Sequence, residues 1–315
     1  MTSLLAFSVF GVDWQLLKPF IVIGLALGGV YALSGVGLVV LYRATGVLNL
    51  AFGAIGAAGA LIAYYLVQHT NWPHWLAYTI CVLTGGVVNL IYGMILGPAF
   101  ARRDPLVKMM GTLGLALILL GLMSWRAPIG GAFARLLPLP SSTHIYQIWG
   151  APVSLTQIIA LALAFVITAG VSVFLRATKL GTAMRALAND REITATLGVP
   201  VRQVEAAAWF GSGIFCGMAG LLLPDLLTSL DTTALTFLVI SAIAAALIGQ
   251  LKSLWWTLVG GIAVGVLQAV ITPYSRSSPI SSISSYRSAA PFVLAIIALL
   301  YMSRRRVVTL SRTTY

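Results

Sequence analysis

Nine runs of roughly twenty mostly apolar residues, at 16–42, 47–68, 75–97, 106–125, 154–175, 205–224, 233–251, 254–272 and 289–303, leave this chain few ways to fold. A helix of about 20 such residues crosses the hydrocarbon core, and in lipid it satisfies every backbone N–H and C=O within its own segment. The pattern predicts an all-α, polytopic transmembrane bundle of about 8–9 spans. Charged side chains make up only 8% of the 315 residues, against about 25% in soluble domains. With a mean hydropathy of +0.98, no hydrophilic stretch is long enough for a water-soluble domain, so a single transmembrane domain over 1–315 is expected. The Gly- and Ala-rich run at 47–68 is expected to be broken or packed deep in the bundle. The run at 289–303 is the weakest, because its apolar core is short and crosses only with help from the Ser-rich flank before it.

The formal charge of +12 does not point to nucleic acid. The bases lie in short loops and in the tail, where they set membrane orientation, and they form no stripe along one face. In a nine-span chain only Lys18, Arg126, Arg135, Arg276 and Arg287 fall on one side; the other fourteen of the 19 bases share the opposite side. Positive residues concentrate in the cytoplasm, which places the N-terminus outside and the C-terminus inside. Met1 to Leu17 lacks a basic n-region and a small-residue cleavage pattern, so no removable signal peptide is expected there, and Trp14 is a candidate interfacial anchor. Cys81 and Cys216 fall inside apolar runs and read as small hydrophobes.

Chemistry is conspicuous by its scarcity. An intramembrane enzyme needs converging ionisable groups, and a proton- or sodium-coupled carrier needs carboxylates or unwound backbone near the midplane. None of the seven acids falls there. Asp225 and Asp231 are too isolated for a metal cluster, and His69, His74 and His144 lie in predicted outer loops. No glycine-rich phosphate loop ending in Gly-Lys-Ser or Gly-Lys-Thr is present to cradle ATP. Catalytic and metal-ligating residues are therefore not expected, and if transport is active the engine is another chain. Uncharged polar residues that can line a path are Tyr31, Ser34, Asn49, Asn89, Gln250 and Gln268; each has interhelical glue as its alternative role. Small-residue pairs Gly24 with Gly28, Gly213 with Gly217 and Gly261 with Gly265 suit close helix packing.

Two connections are long: an outer one over 126–153 with four prolines, and a cytoplasmic one over 176–204. The second reads as two short helical pieces in water. Asn189 or Asp190 caps the second piece, Glu192 sits in its first turn where the helix dipole favours negative charge, and Gly198 followed by Pro200 stops it. Ile193 and Leu197 give it a partly apolar surface suited to a groove on another protein.

These residues resemble the permeases of branched-chain amino acid ABC importers, the Liv-type membrane subunits, over nearly the whole chain. Gly24-Leu-Ala-Leu-Gly28-Gly-Val-Tyr31 running into Thr45-Gly46-Val-Leu-Asn49-Leu-Ala-Phe52-Gly53 is similar to the family's first span and its Asn-Phe-Ala-His-Gly segment. Pro98, Thr112-Leu113-Gly114 and the region from Phe237 to Gly261 follow. The most specific match is Gly181 to Gly198, similar to Gly-Arg-Ala-x-Arg-Ala-x-x-x-Asp with a Leu-Gly-Val ending. Departures are Phe52 where the family often has His, Gly-Gln-Leu-Lys-Ser from Gly249 where Gly-Gly-x-Gly-Ser is expected, and a Met-Ser-Arg-Arg-Arg tail after Tyr301.

The resemblance implies one membrane half of an importer in a prokaryotic inner membrane, partnered by a second Liv-like permease chain, two ATP-binding subunits and an external solute-binding protein. ATP and Mg would reside in the ATPase partners, with no cofactor on this chain. The 176–204 loop would be the coupling element, through Arg185, Ala186, Asn189, Asp190, Glu192, Leu197 and Gly198. The path would be lined by Tyr31, Ser34, Asn49, Phe52 and Gln250. The solute would be a branched-chain amino acid, or the urea, short amide or other small organic compound of related importers; Phe52 in place of His favours a hydrophobic one. Two other classes compete: an autonomous channel or carrier, which would need a midplane ion site, and an intramembrane enzyme, which would need clustered catalytic groups.

Overall fold

Every apolar run forms a helix. The computed structural model describes residues 8–9, 12–70, 72–100, 103–126, 137, 139–148, 151–227, 229–277 and 289–300. Side chains of Trp14, Arg126 and Arg276, together with Arg102, Arg135, Arg287 and the basic tail, lie outside that description. The helices are α1 (Trp14–Thr45), α2 (Phe52–His69), α3 (His74–Phe100), α4 (Pro105–Arg126), α5 (Leu155–Ala177), the short α6 (Lys179–Asn189) and α7 (Arg191–Thr196), α8 (Val201–Leu226), α9 (Thr232–Ile248), α10 (Leu254–Ser277) and α11 (Ala290–Leu300). The expected spans resolve into seven helices of crossing length plus the shorter apolar α9 and α11.

Helix α1 is the axis of the bundle. Leu27, Val30, Leu33, Val36, Leu38, Val39 and Leu41 are all fully enclosed, with α5, α8, α9 and α10 packed around them. Such enclosure demands close backbone approach, and the three small-residue pairs sit where helices cross. A Cβ on Gly28 would stand 2.6 Å from Ile262 Cα of α10, and one on Gly24 would stand 2.7 Å from Val266 Cα. On the other side, α8 crosses α3 at Gly213 and Gly217, where a Cβ on Gly217 would stand 2.6 Å from Val82 Cα. Without a hydrophobic drive between helices in lipid, this dispersion-rich contact is what holds them together. The outward faces are apolar. Leu117 and Ile118 on α4, Val166 on α5 and Leu300 on α11 are each more than 60% exposed, a surface for lipid or another apolar helix to cover.

The 47–68 run is broken, and the break comes at its start. After α1 ends, Gly46 takes φ +70°, a left-handed conformation that glycine adopts without penalty. Residues 46–51 then re-enter the bundle as irregular chain before α2 begins. The described part of the long 126–153 connection also has structure: a 3-10 turn at Pro140–Thr143 leads into an antiparallel pair of β3 (Ile145–Ile148) and β4 (Ala151–Ser154). Ser154 closes it with a capping box, its hydroxyl accepting from Gln157 N–H while the Gln157 side chain accepts from Ser154 N–H. A two-residue hairpin pairs β1 (Ser8–Val9) with β2 (Val12–Asp13) ahead of α1.

Candidate functional site

Two regions carry the possible chemistry: the α6–α7 element at one end of the bundle and a cavity toward the other. Thr178 starts α6, its hydroxyl accepting from Gly181 N–H at 2.9 Å. Gly181, Met184 and Leu187 turn inward and are buried, seating α6 against α1, α5 and α8. Asp190 then ends one helix and opens the next. Its Oδ1 accepts from the N–H groups of Glu192 at 2.8 Å and Ile193 at 2.9 Å, a cap worth about 1 kcal/mol. Between the two capping candidates, the structure thus selects Asp190. Gly198 at φ +80° closes α7, with its N–H on the Ala195 carbonyl at 3.1 Å, and Pro200 precedes α8. Arg185, Asn189, Asp190, Glu192, Leu197 and Gly198 are exposed and Ala186 is half-buried.

Ile193 is 59% and Leu197 76% exposed, so α7 presents apolar side chains to solvent on an otherwise polar end. One stabilising contact was not foreseen. Arg191 pairs with Glu205 of α8 at 2.9 Å and donates to the same carboxylate through Nε at 3.0 Å. Fourteen residues separate the partners, beyond the reach of helical spacing rules, and only the turn at Gly198 brings them together. The pair ties α7 to the start of a bundle helix.

The cavity, about 500 Å³, lies between α1, α8, α9, α10 and α11. Its wall is apolar, with Leu223, Phe237, Leu238 and Phe292, and carries three polar side chains: Tyr31, Ser241 and Gln268. Tyr31 donates to Gln268 Oε1 at 2.8 Å, joining α1 to α10 across the pocket. No charged residue lines it among the described residues. Tyr31 and Gln268, both read as path candidates, come together here; Ser241 had no distinguishing sequence signal.

The other path candidates sit elsewhere. Ser34 is fully buried and donates to Val30 O within its own helix. Phe52 is fully buried, its ring packed where a side chain on Gly37 would otherwise go. Asn49, 1% exposed, is spent on architecture. Its Nδ2 donates to Asn89 Oδ1 at 2.9 Å, its Oδ1 accepts from Ala51 N–H at 2.9 Å, and Asn89 passes the chain on to the Trp209 carbonyl at 2.7 Å. Leu50 N–H is met by the Thr112 hydroxyl at 3.0 Å. This network satisfies the irregular backbone at 46–51, which lipid cannot do. Asn49 is enclosed because a polar side chain beside broken backbone is needed to satisfy that backbone, whereas Ser34 bonds within its own helix and Phe52 is enclosed by packing. Gln250 is displaced for another reason. It lies exposed in the α9–α10 turn, where both Gln250 (φ 55°) and Leu251 (φ 54°) are left-handed. That stretch is where the resemblance led us to expect glycines, and non-glycine residues pay roughly 1–2 kcal/mol each for such a backbone.

Asn49→Leu is expected to lower the stability of the solubilised protein by about 1–3 kcal/mol, since it orphans Ala51 N–H and one face of Asn89. Thermal unfolding in detergent measures this, and an unchanged midpoint would show that the network is dispensable.

Among the described residues no group of three His, Cys, Asp or Glu gathers, and Cys81 and Cys216 are both free and buried. The helices, the uncharged cavity and the projecting α6–α7 element define a multi-pass membrane transport protein. The profile of the family described as "Branched-chain amino acid transport system / permease component" matches residues 20–301, and the chain belongs to that family. It is 27% identical over 274 residues to the probable branched-chain amino acid transport permease protein LivH of Methanocaldococcus jannaschii, covering 85% of each chain. It is 22% identical over 293 residues to the high-affinity branched-chain amino acid transport system permease protein LivH of Escherichia coli (strain K12), covering 89% of this chain and 91% of that one. The corresponding BraD of Pseudomonas aeruginosa is 24% identical over 256 residues, 78% of this chain and 83% of that one.

Proposed function

We propose that this chain is one membrane half of an ATP-driven importer for hydrophobic branched-chain amino acids or a related small solute, and that 176–204 is its coupling element. A second permease chain, two ATP-binding subunits and an external solute-binding protein complete the assembly in a prokaryotic inner membrane. The observation that carries the reading is α7: a helix capped at both ends, pinned to α8 by Arg191–Glu205, and displaying Ile193 and Leu197 to a partner. Rigidity matters because a flexible loop would absorb the displacement of an ATPase lobe, whereas a capped helix passes it to α8 and rocks the bundle. Arg185, Ala186, Asn189, Asp190, Glu192, Leu197 and Gly198 form this element. Hydrolysis, with ATP and Mg, belongs to the partner chains.

Orientation follows from charge. Arg43, Arg103, Lys108, Arg176, Lys179 and Lys252 share the α6–α7 end, and the positive-inside rule makes that end cytoplasmic. The cavity then belongs to the outer half, where a binding protein delivers solute. Tyr31, Ser241 and Gln268 are its polar contacts, and the apolar wall accommodates an aliphatic side chain. Ser34, Asn49 and Phe52 support the path from behind, and Gln250 belongs to the cytoplasmic turn.

Gln268→Leu is expected to cut uptake by the assembled transporter at least about tenfold, because it removes the Tyr31–Gln268 hydrogen bond and replaces a polar contact by an apolar one. Stimulation of ATPase activity by the partner assembly should persist. Uptake at the wild-type rate would remove the cavity from the path. The reading as a whole is tested by affinity co-purification of the tagged chain from native membranes. Recovery of nucleotide-binding chains and a second permease is expected; recovery of this chain alone, transporting solute without ATP, would overturn it.

A further inference from the structure

At the α6–α7 end a second cavity, about 320 Å³, is lined by Arg43, Arg176, Arg185 and Lys252, together with Ser172, Ser253 and Trp255. No acidic residue lines it among the described residues. Arg43 donates to the Lys252 carbonyl at 3.3 Å and Arg185 to the Thr182 hydroxyl at 3.3 Å, so neither guanidinium is neutralised by these bonds. Arg43 and Arg185 line the same cavity, so their like charges repel. The start of α10 lies at the cavity, which Ser253, Leu254 and Trp255 help to line, and the positive end of that helix adds to the potential. Four cations from α1, α5, α6 and the α9–α10 turn converging on a helix start are poorly stable alone and well matched to an anion.

The surroundings say what kind of anion. Ser172, Leu175 and Arg176 belong to the last two turns of α5, so the cavity runs along the end of that span. Trp255, which lines the cavity, is 47% exposed, and its chain neighbour Trp256 on α10 and Val173 on α5 are 63% and 62% exposed. Tryptophan is favoured at headgroup level, and basic pockets between spans hold anionic headgroups. We infer that this pocket binds the phosphate of an anionic phospholipid, whose acyl chains lie along the exposed faces of α5 and α10. The single negative charge of the bound lipid offsets part of the positive charge of the four bases, and its phosphate bridges α1, α5, α6 and the α9–α10 turn.

The test is native mass spectrometry and thermal unfolding of the detergent-purified full chain. It is titrated with phosphatidylglycerol, with phosphatidylcholine of the same acyl chains, and with inorganic phosphate. Phosphatidylglycerol is expected to bind at least about tenfold more tightly than phosphatidylcholine and to raise the unfolding midpoint. Arg43→Gln with Lys252→Gln should weaken it about 25-fold, at about fivefold per charge. Arg43→Lys should keep it, which separates loss of charge from loss of fold. Equal binding of the two lipids, or undiminished phosphatidylglycerol binding in the double variant, would overturn the inference. Inorganic phosphate occupying the site as tightly as the lipid would overturn the lipid as its source. A carbodiimide cross-link from Lys252 to a carboxylate of a co-purifying ATPase chain would assign the pocket to that partner instead.

Discussion

Ile193→Asp combined with Leu197→Asp is expected to abolish ATP-driven uptake while leaving the bundle intact. Both side chains stand largely in solvent, so each exchange costs the isolated chain about 0.5 kcal/mol. In a docked assembly the same side chains would be buried. Losing each apolar contact costs about 2 kcal/mol, and placing a carboxylate in the groove costs more. Together they weaken docking by at least about a thousandfold. Asp190→Ala acts on the same element differently, removing a cap and fraying α7 by about 1 kcal/mol. It should uncouple partially, and Asp190→Asn, which keeps an acceptor oxygen, should restore most of the loss. Uptake and ATPase rates in proteoliposomes, beside unfolding midpoints of the isolated chain, separate these effects. Wild-type coupling in the double aspartate variant would dismiss α7 as the docking element.

The second large effect lies at the centre of the bundle. Gly28→Leu is expected to prevent accumulation of the folded protein. Even its first carbon would stand 2.6 Å from the Ile262 backbone, and neither helix can retreat, because α1 is gripped on its other sides by α5, α8 and α9. Overpacking ordinarily costs about 1–3 kcal/mol; against backbone, with no flexible side chain to yield, the cost exceeds that range. Gly170→Ala on α5 is the control, since a Cβ there meets nothing within 4 Å. It should leave the midpoint unchanged or raise it, alanine being the better helix former by about 1 kcal/mol. Yield of monodisperse protein after solubilisation reads both. Normal yield for Gly28→Leu would mean that α1 and α10 are not packed as described.

What was legible in the sequence follows from the range of each interaction. Helix spans repeat a local signal, since twenty apolar residues need no distant partner to be recognised. The punctuation of α6 and α7 is equally local: Asp190 caps N–H groups two and three residues ahead, and Gly198 turns the chain where it stands. The cavity and the networks are not local. Tyr31 finds Gln268 across 237 residues, and Asn89 reaches Trp209 across 120. A polar residue inside an apolar run therefore looks the same whether it lines a path or satisfies broken backbone. Tyr31 and Gln268 border open space, while Asn49 lies beside the irregular chain at 46–51 and is consumed by it. Gln250 stands apart from the cavity on a finer margin, because helix α9 stops at Ile248 and the apolar run continues past its end. The basic pocket also escaped, as its four cations come from four separate segments that read individually as orientation signals.

The central claim is that transport through this chain is driven by separate ATPase chains acting on α6–α7. Its most direct test is solute uptake by proteoliposomes containing the co-purified assembly, measured with and without internal ATP and with the double aspartate variant at 193 and 197. Uptake that requires ATP in the wild type and is lost in the variant, whose isolated chain still unfolds at the wild-type midpoint, is the predicted result. ATP-independent uptake, or full ATP-driven uptake by the variant, would contradict it.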